Sequence, residues 1–202
     1  MSPAAPPATD ELLISSLMVH PVKSCAGIAV DEALLIETGL EHDRAWMVVD
    51  SEGEFVSQRE LPRMALVRPT LRASDVVLRA PGMLALHLLL DTVEAPCRVK
   101  VWSDIVAAYD MGDLAAQWFS DFLGQRVRLA RFDPATRRLC DPAWTGPFEA
   151  ETAFADGGGA FGIGRLPRRD QTFPRGVIEI GLFLAMRADG ADQPLRHHAE
   201  QG

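Results

Sequence analysis

The first 134 residues break into apolar stretches of three to nine residues, each ended by proline, glycine or acidic turn residues, and this restricts the fold to one built from many short strands. Leu13 to Val19 is the first stretch, interrupted by Ser15 and Ser16, and Pro21 marks where its ladder hydrogen bonding stops. Ile28 to Ile36 and Ala45 to Val49 follow. Asp50-Ser51-Glu52-Gly53 then supplies turn chemistry before Glu54 to Gln58, which predicts a hairpin over 45–58. Met64 to Val67, Val76 to Leu78, Leu84 to Leu90 and Arg98 to Trp102 continue the series, and Val127 to Phe132 ends it ahead of Asp133-Pro134. Strands this short, at this density, predict a barrel-like or sandwich-like sheet.

One stretch has a different period. In DLAAQWFSDFLG, residues 113–124, Leu114, Trp118 and Phe122 fall four apart, while Ala115, Phe119 and Leu123 widen the same apolar face. Asp113 is the expected N-cap and Gly124 the expected C-terminal stop. The expected fold class is therefore α+β, mostly β, with one amphipathic helix at about 113–124 lying over the sheet. A poorly ordered C-terminal segment is expected to follow. Residues 1–10, with three prolines and three alanines, predict a disordered tail.

A net charge of -8 argues against a nucleic-acid surface, which needs many basic groups gathered on one face. The N-terminus MSPAAPPATDELL has neither the basic start nor the apolar stretch of a signal peptide, and no apolar run is long enough to cross a bilayer. A cytoplasmic protein without membrane partners is expected. Cys25, Cys97 and Cys140 lie far apart with no CxxC pair, so neither a zinc site nor a disulfide framework is indicated.

Kinase and serine-hydrolase chemistry lack support: HExxH and GxSxG are missing, as is a glycine-rich lead-in to Lys23-Ser24. Residues 157–162 match GxGxxG, with Glu179 about 20 residues further on, but the helix a dinucleotide site requires would run through Gly164, Pro167 and Pro174. The stretch HPVKSCAG, residues 20–27, offers more. Lys23 gives a mobile ammonium and Ser24 a hydroxyl just past a strand end, where backbone N–H groups leave the sheet, and together these suit a phosphate or another anion. The alternative is that Lys23 guards a sheet edge. Arg44, in HDRAW, stands immediately before the Ala45 to Val49 strand, and a guanidinium grips phosphate with two parallel donors; its alternative role is an ion pair with Asp43. Gln58, Arg59 and Arg63 add amide and basic groups after the predicted hairpin.

The succession PVKSC, GLEHDRAWMVVD, VSQRELPRMALV, CRVKVW and GDLAAQWFSDFLGQRVRLARF resembles the N-terminal β-barrel domain that precedes MOSC domains in YcbX-like proteins and the mitochondrial amidoxime reducing component. The resemblance covers about residues 12–134. It implies that Lys23, Ser24 and Arg44 contact the pterin phosphate of the molybdenum cofactor (molybdopterin). It also implies a redox partner and reduction of N-hydroxylated compounds in intact relatives. On this reading residues 11–134 are the β-barrel-like domain and 135–157 a linker and the start of a MOSC domain, since ETAFADG, residues 151–157, is similar to that domain's opening. Residues 158–202 are a divergent tail, reading GGGAFGIGRLPRR where the family has an aromatic, a proline and a buried strand. The family's molybdenum-binding cysteine comes later and matches no position here, so none of the three cysteines is assigned to metal. A shifted reading frame or truncation after about residue 157 is the expected cause of the break, a genuine short family member with its own tail is the rival explanation, and translation of the two other frames downstream tests between them. The chain is then a cofactor-binding domain of a MOSC-type oxidoreductase, a non-catalytic binding module, or a structural remnant without activity.

Overall fold

The computed structural model describes residues 16–92, 95–145, 149–155 and 172–173. Its strands are β1 (Met18–Val19), β2 (Ile28–Ala29), β3 (Ala33–Ile36), β4 (Gly39–Leu40), β5 (Trp46–Val49), β6 (Arg68–Leu71), β7 (Asp75–Arg79), β8 (Leu86–Leu89), β9 (Ala95–Val101), β10 (Asp104–Asp110), β11 (Arg128–Phe132) and β12 (Thr172–Phe173). Helix α1 spans Gly112–Leu123, and a single turn, α2, spans Pro142–Thr145. The expected class, mostly β with one amphipathic helix, is what the chain adopts. Among the described residues the strands pair into four antiparallel sheets and close no barrel: β1-β2, β5-β11-β10-β9, β12-β3-β4 and β6-β7-β8. The predicted tail at 1–10, the GxGxxG stretch and all of 158–202 except 172–173 lie outside the described residues.

The β5-β11-β10-β9 sheet is the middle of the molecule because β5 is apolar on both faces. Trp46 and Val48 join a core with Met64, Val67, Val76, Leu78, Phe119 and Phe122, while Met47 and Val49 face a second core with Val99, Val106, Phe132, Ala153 and Phe154. Alternate side chains of a strand point to opposite faces, so an uninterrupted WMVV requires cover on both sides. Helix α1 and the β6-β7-β8 sheet contribute to the first core. Ala153 and Phe154, from the stretch expected to open the next domain, contribute to the second.

Several local expectations fail for identifiable reasons. Ile28 to Ile36 is two strands, because Asp31 and Glu32 are exposed at a break between them. Met64 to Val67 lies largely in a 3-10 helix, Pro62–Leu66, which Pro62 opens with its φ preset near the helical value. The return of the predicted hairpin is a single bridge, Val49 to Phe55, rather than a strand, and Glu54 instead bridges to Lys100. Asp113 is not the N-cap of α1. Met111 occupies that position, and the Asp110 carboxylate accepts the Gly112 N–H at 2.7 Å. The stop at Gly124 is as expected, in left-handed conformation at φ 76° with its N–H donated to the Ser120 carbonyl.

Candidate anion-binding corner

Two segments meet where the predicted donors lie. The Trp46 N–H donates to the Pro21 carbonyl at 3.0 Å, the Lys23 N–H to the Trp46 carbonyl at 2.8 Å, and the Arg44 N–H to the His20 carbonyl at 2.7 Å. Residues 20–23 thus run parallel beside 44–46, through a bridge at Val22 and Trp46. Sequence separation hides this pairing, but HPVKS and HDRAW are neighbours in space. A turn then closes with the Cys25 N–H on the Val22 carbonyl at 3.0 Å, and Ser24 sits within it at φ 66°. His42 and Arg44 also hold positive φ, at 66° and 48°, so three of the four non-glycine residues with positive φ among the described residues belong to this corner. Each such conformation costs about 1–2 kcal/mol and persists only where its surroundings enforce it.

The carboxylate of Asp43 ties the corner together. One oxygen accepts the His20 N–H at 2.7 Å and the other accepts Nη1 of Arg44. Arg44 therefore makes the ion pair with Asp43, its side chain 37% exposed, and among the described residues the rest of its guanidinium donors have no protein acceptor. The His20 ring accepts or donates at the Cys25 carbonyl, 3.3 Å from Nδ1, and lies so close over Gly27 that a Cβ there would come within 2.7 Å of it.

Lys23 is placed differently. It is 4% exposed, its Nζ donates to the Phe154 carbonyl at 2.8 Å, and it stands 4.6 Å from the centre of the Phe55 ring. The Phe154 N–H in turn donates to the Arg44 carbonyl at 3.2 Å. The backbone of one residue, Phe154, therefore touches both predicted basic residues. Arg138 fixes it from the far side, donating from Nη1 to the carbonyls of Ala153 and Ala155 at 2.8 and 2.9 Å while paired with Asp104. Phe154 and Arg138 are components that the sequence alone did not assign, whereas Asp43 takes the place expected of it as Arg44's alternative partner. Of the further basic candidates, Arg63 stacks on the Phe122 ring at 4.5 Å, toward α1, and Gln58 and Arg59 are exposed. The indole N–H of Trp46 and the hydroxyl of Thr152 are buried without a hydrogen-bond partner among the described residues.

None of the three thiols is poised as a thiolate. Burial pushes Cys25 up to about 12 and raises Cys97 and Cys140 as well. Among the described residues no three histidine, cysteine or acidic side chains gather as a metal site. Because the folded value of Cys25 lies above its ordinary 9.0, its neutral form adds stability that is complete below pH 9 and is lost as pH rises toward 12. Alkylation of the native protein at pH 8 is expected to label half-buried Cys97 and to reach Cys25 only on unfolding. Labelling of Cys25 at the rate of the unfolded chain would contradict this placement.

A strand-rich domain with one covering helix, carrying a partly exposed arginine and a buried lysine at the junction of two loops, is a β domain with a basic corner. The chain belongs to the MOSC N-terminal beta barrel domain family, whose profile matches residues 11–126. Mitochondrial amidoxime reducing component 2 of Bos taurus is 37% identical over 129 residues, which cover 59% of this chain and 38% of that protein. Molybdenum cofactor sulfurase of Bos taurus is 35% identical over 124 residues, covering 59% of this chain and 14% of that protein. The chain thus spans well under half the length of either relative. A solution structure of a Bordetella bronchiseptica protein is 32% identical and covers 48% of this chain and 78% of its own, with a TM-score of 0.43.

Proposed function

We propose that this corner holds the anionic headgroup of a molybdenum cofactor, through Lys23, Ser24 and Arg44, and that the chain serves as the cofactor-binding N-terminal domain of a MOSC-type oxidoreductase. The observation that carries the reading is the convergence of Arg44 and Lys23 on the backbone of one residue, Phe154. The donor set suits the group. A guanidinium offers five N–H donors in a planar fork, and Asp43 takes only Nη1, which leaves an edge for two phosphate oxygens. When bound, the cofactor supplies the redox chemistry of reducing an N-hydroxylated compound, and the chain binds and orients it. In this reading the protein works in the cytoplasm and receives electrons from a redox partner.

The test is equilibrium binding of isolated molybdopterin to the purified chain, followed by pterin fluorescence. Arg44→Ala is expected to weaken binding about 10- to 100-fold, the loss of a charge-assisted contact of about 1.5–3 kcal/mol. Unchanged affinity in that variant would remove the proposal. A binding module without turnover is the second reading, in keeping with three thiols that burial holds above their ordinary value. It predicts the same pterin affinity with no reduction of an N-hydroxylated substrate.

A further inference from the structure

We propose that the outer face of the β6-β7-β8 sheet carries an anion site of its own, in which Arg68, Arg79 and Thr70 hold the phosphoryl group of a soluble ligand. The site does not rest on the corner at Arg44. Val76, Leu78, Leu86 and Leu88 join the first core, so the residues that alternate with them along β7 and β8 face the other way. Arg68 pairs directly with Arg79, and Thr70 with Val77. Both guanidiniums and the hydroxyl therefore stand on the outer face, and all three residues are exposed.

Like charges placed directly opposite destabilise a strand pair, and an anion between them removes that cost. The protein does not supply one: among the described residues neither Arg68 nor Arg79 enters an ion pair. Residues 59–90 carry five arginines against two acidic residues, in a chain of net charge -8. Both acidic side chains are engaged elsewhere. Glu60 accepts the Ser57 N–H at 2.8 Å, and Asp75, at the opposite end of β7 from Arg79, is paired with His87 at 2.7 Å. Guarding a sheet edge does not account for Arg79, because β7 is the middle strand. Side chains at directly paired positions start about 4.5–5.5 Å apart at Cβ, so two planar forks can close on one group from either side. A phosphoryl group suits them better than a carboxylate. It carries a charge of about -1.5 to -2, and its three terminal oxygens serve both forks and the Thr70 hydroxyl.

Arginine Nε NMR of the labelled full chain, titrated with inorganic phosphate at constant ionic strength, tests the site. Arg68 and Arg79 are expected to shift together along one saturable curve, with Arg72, beside Asp75, unmoved. In Arg79→Gln, an exposed substitution, the midpoint read at Arg68 should rise about 10-fold or more. Shifts that never saturate, or that match those of exposed Arg59, would reduce the effect to screening and overturn the proposal. So would an Arg68 response unchanged in Arg79→Gln. Binding to vesicles containing phosphatidic acid without any response to free phosphate would also overturn it, in favour of a membrane surface. The corner is read separately at Arg44 Nε, so its outcome leaves this one untouched.

Discussion

Phe154→Ala is expected to lower the unfolding free energy by about 3–5 kcal/mol, the cost of truncating a large aromatic in a packed core. Its ring is fully buried among Met47, Val49, Val99 and Phe132, on the face of the central sheet that α1 does not cover. The profile of the family ends at residue 126, and the turn at Asp133-Pro134 is a natural stopping point for a domain, so this effect lies beyond both boundaries. Denaturant unfolding measures it as a fall in midpoint at unchanged slope. The double consequence is diagnostic, because the substitution also loosens the residue-154 backbone between Lys23 and Arg44 and should weaken anion binding in parallel. A loss under about 1 kcal/mol would mean that the second core is closed by something other than this stretch. Leu139→Ala, at a half-exposed position on the neighbouring pair with Glu151, is the control and should cost little.

What was legible in the chain depended on how local its cause was. β5 was readable because WMVV is apolar without interruption and bounded by turn residues, and its burial on both faces follows from that. β10 escaped notice because DIVAAYD mixes acidic and small residues; its seven-residue pairing with β9 comes from the partner strand rather than from its own pattern. Met64 to Val67 is too short for period to separate strand from helix, and there the proline decided. The chemistry of Lys23, Ser24 and Arg44 could be read from side-chain type, and so could the pairing of Arg44 with Asp43. The acceptor for Lys23 could not, since Phe154 is 131 residues away and contributes a backbone carbonyl, which carries no side-chain signature.

Helix α1 yields the other large effect, and it turns on a detail that the four-residue spacing misplaced. Leu114, Trp118 and Phe122 do recur on one side, yet Leu114 is 74% exposed while Ala115, Trp118, Phe119, Phe122 and Leu123 are buried. At about 100° per residue the buried stripe centres between Ala115 and Phe119, and Leu114 falls roughly 120° off that line, on the flank. The first core therefore depends on Phe119, which is fully buried and meets the Trp118 ring edge-on at 5.0 Å. Trp118 is in turn anchored by its indole N–H on the Leu84 carbonyl at 2.7 Å, so the helix has a fixed rotation about its axis. Phe119→Ala should cost about 3–5 kcal/mol, whereas Leu114→Ala should stay within about 0.5 kcal/mol of wild type. Equal losses at the two positions would mean that α1 sits on the sheet in a different rotation, with Leu114 inward and the Trp118 anchor broken.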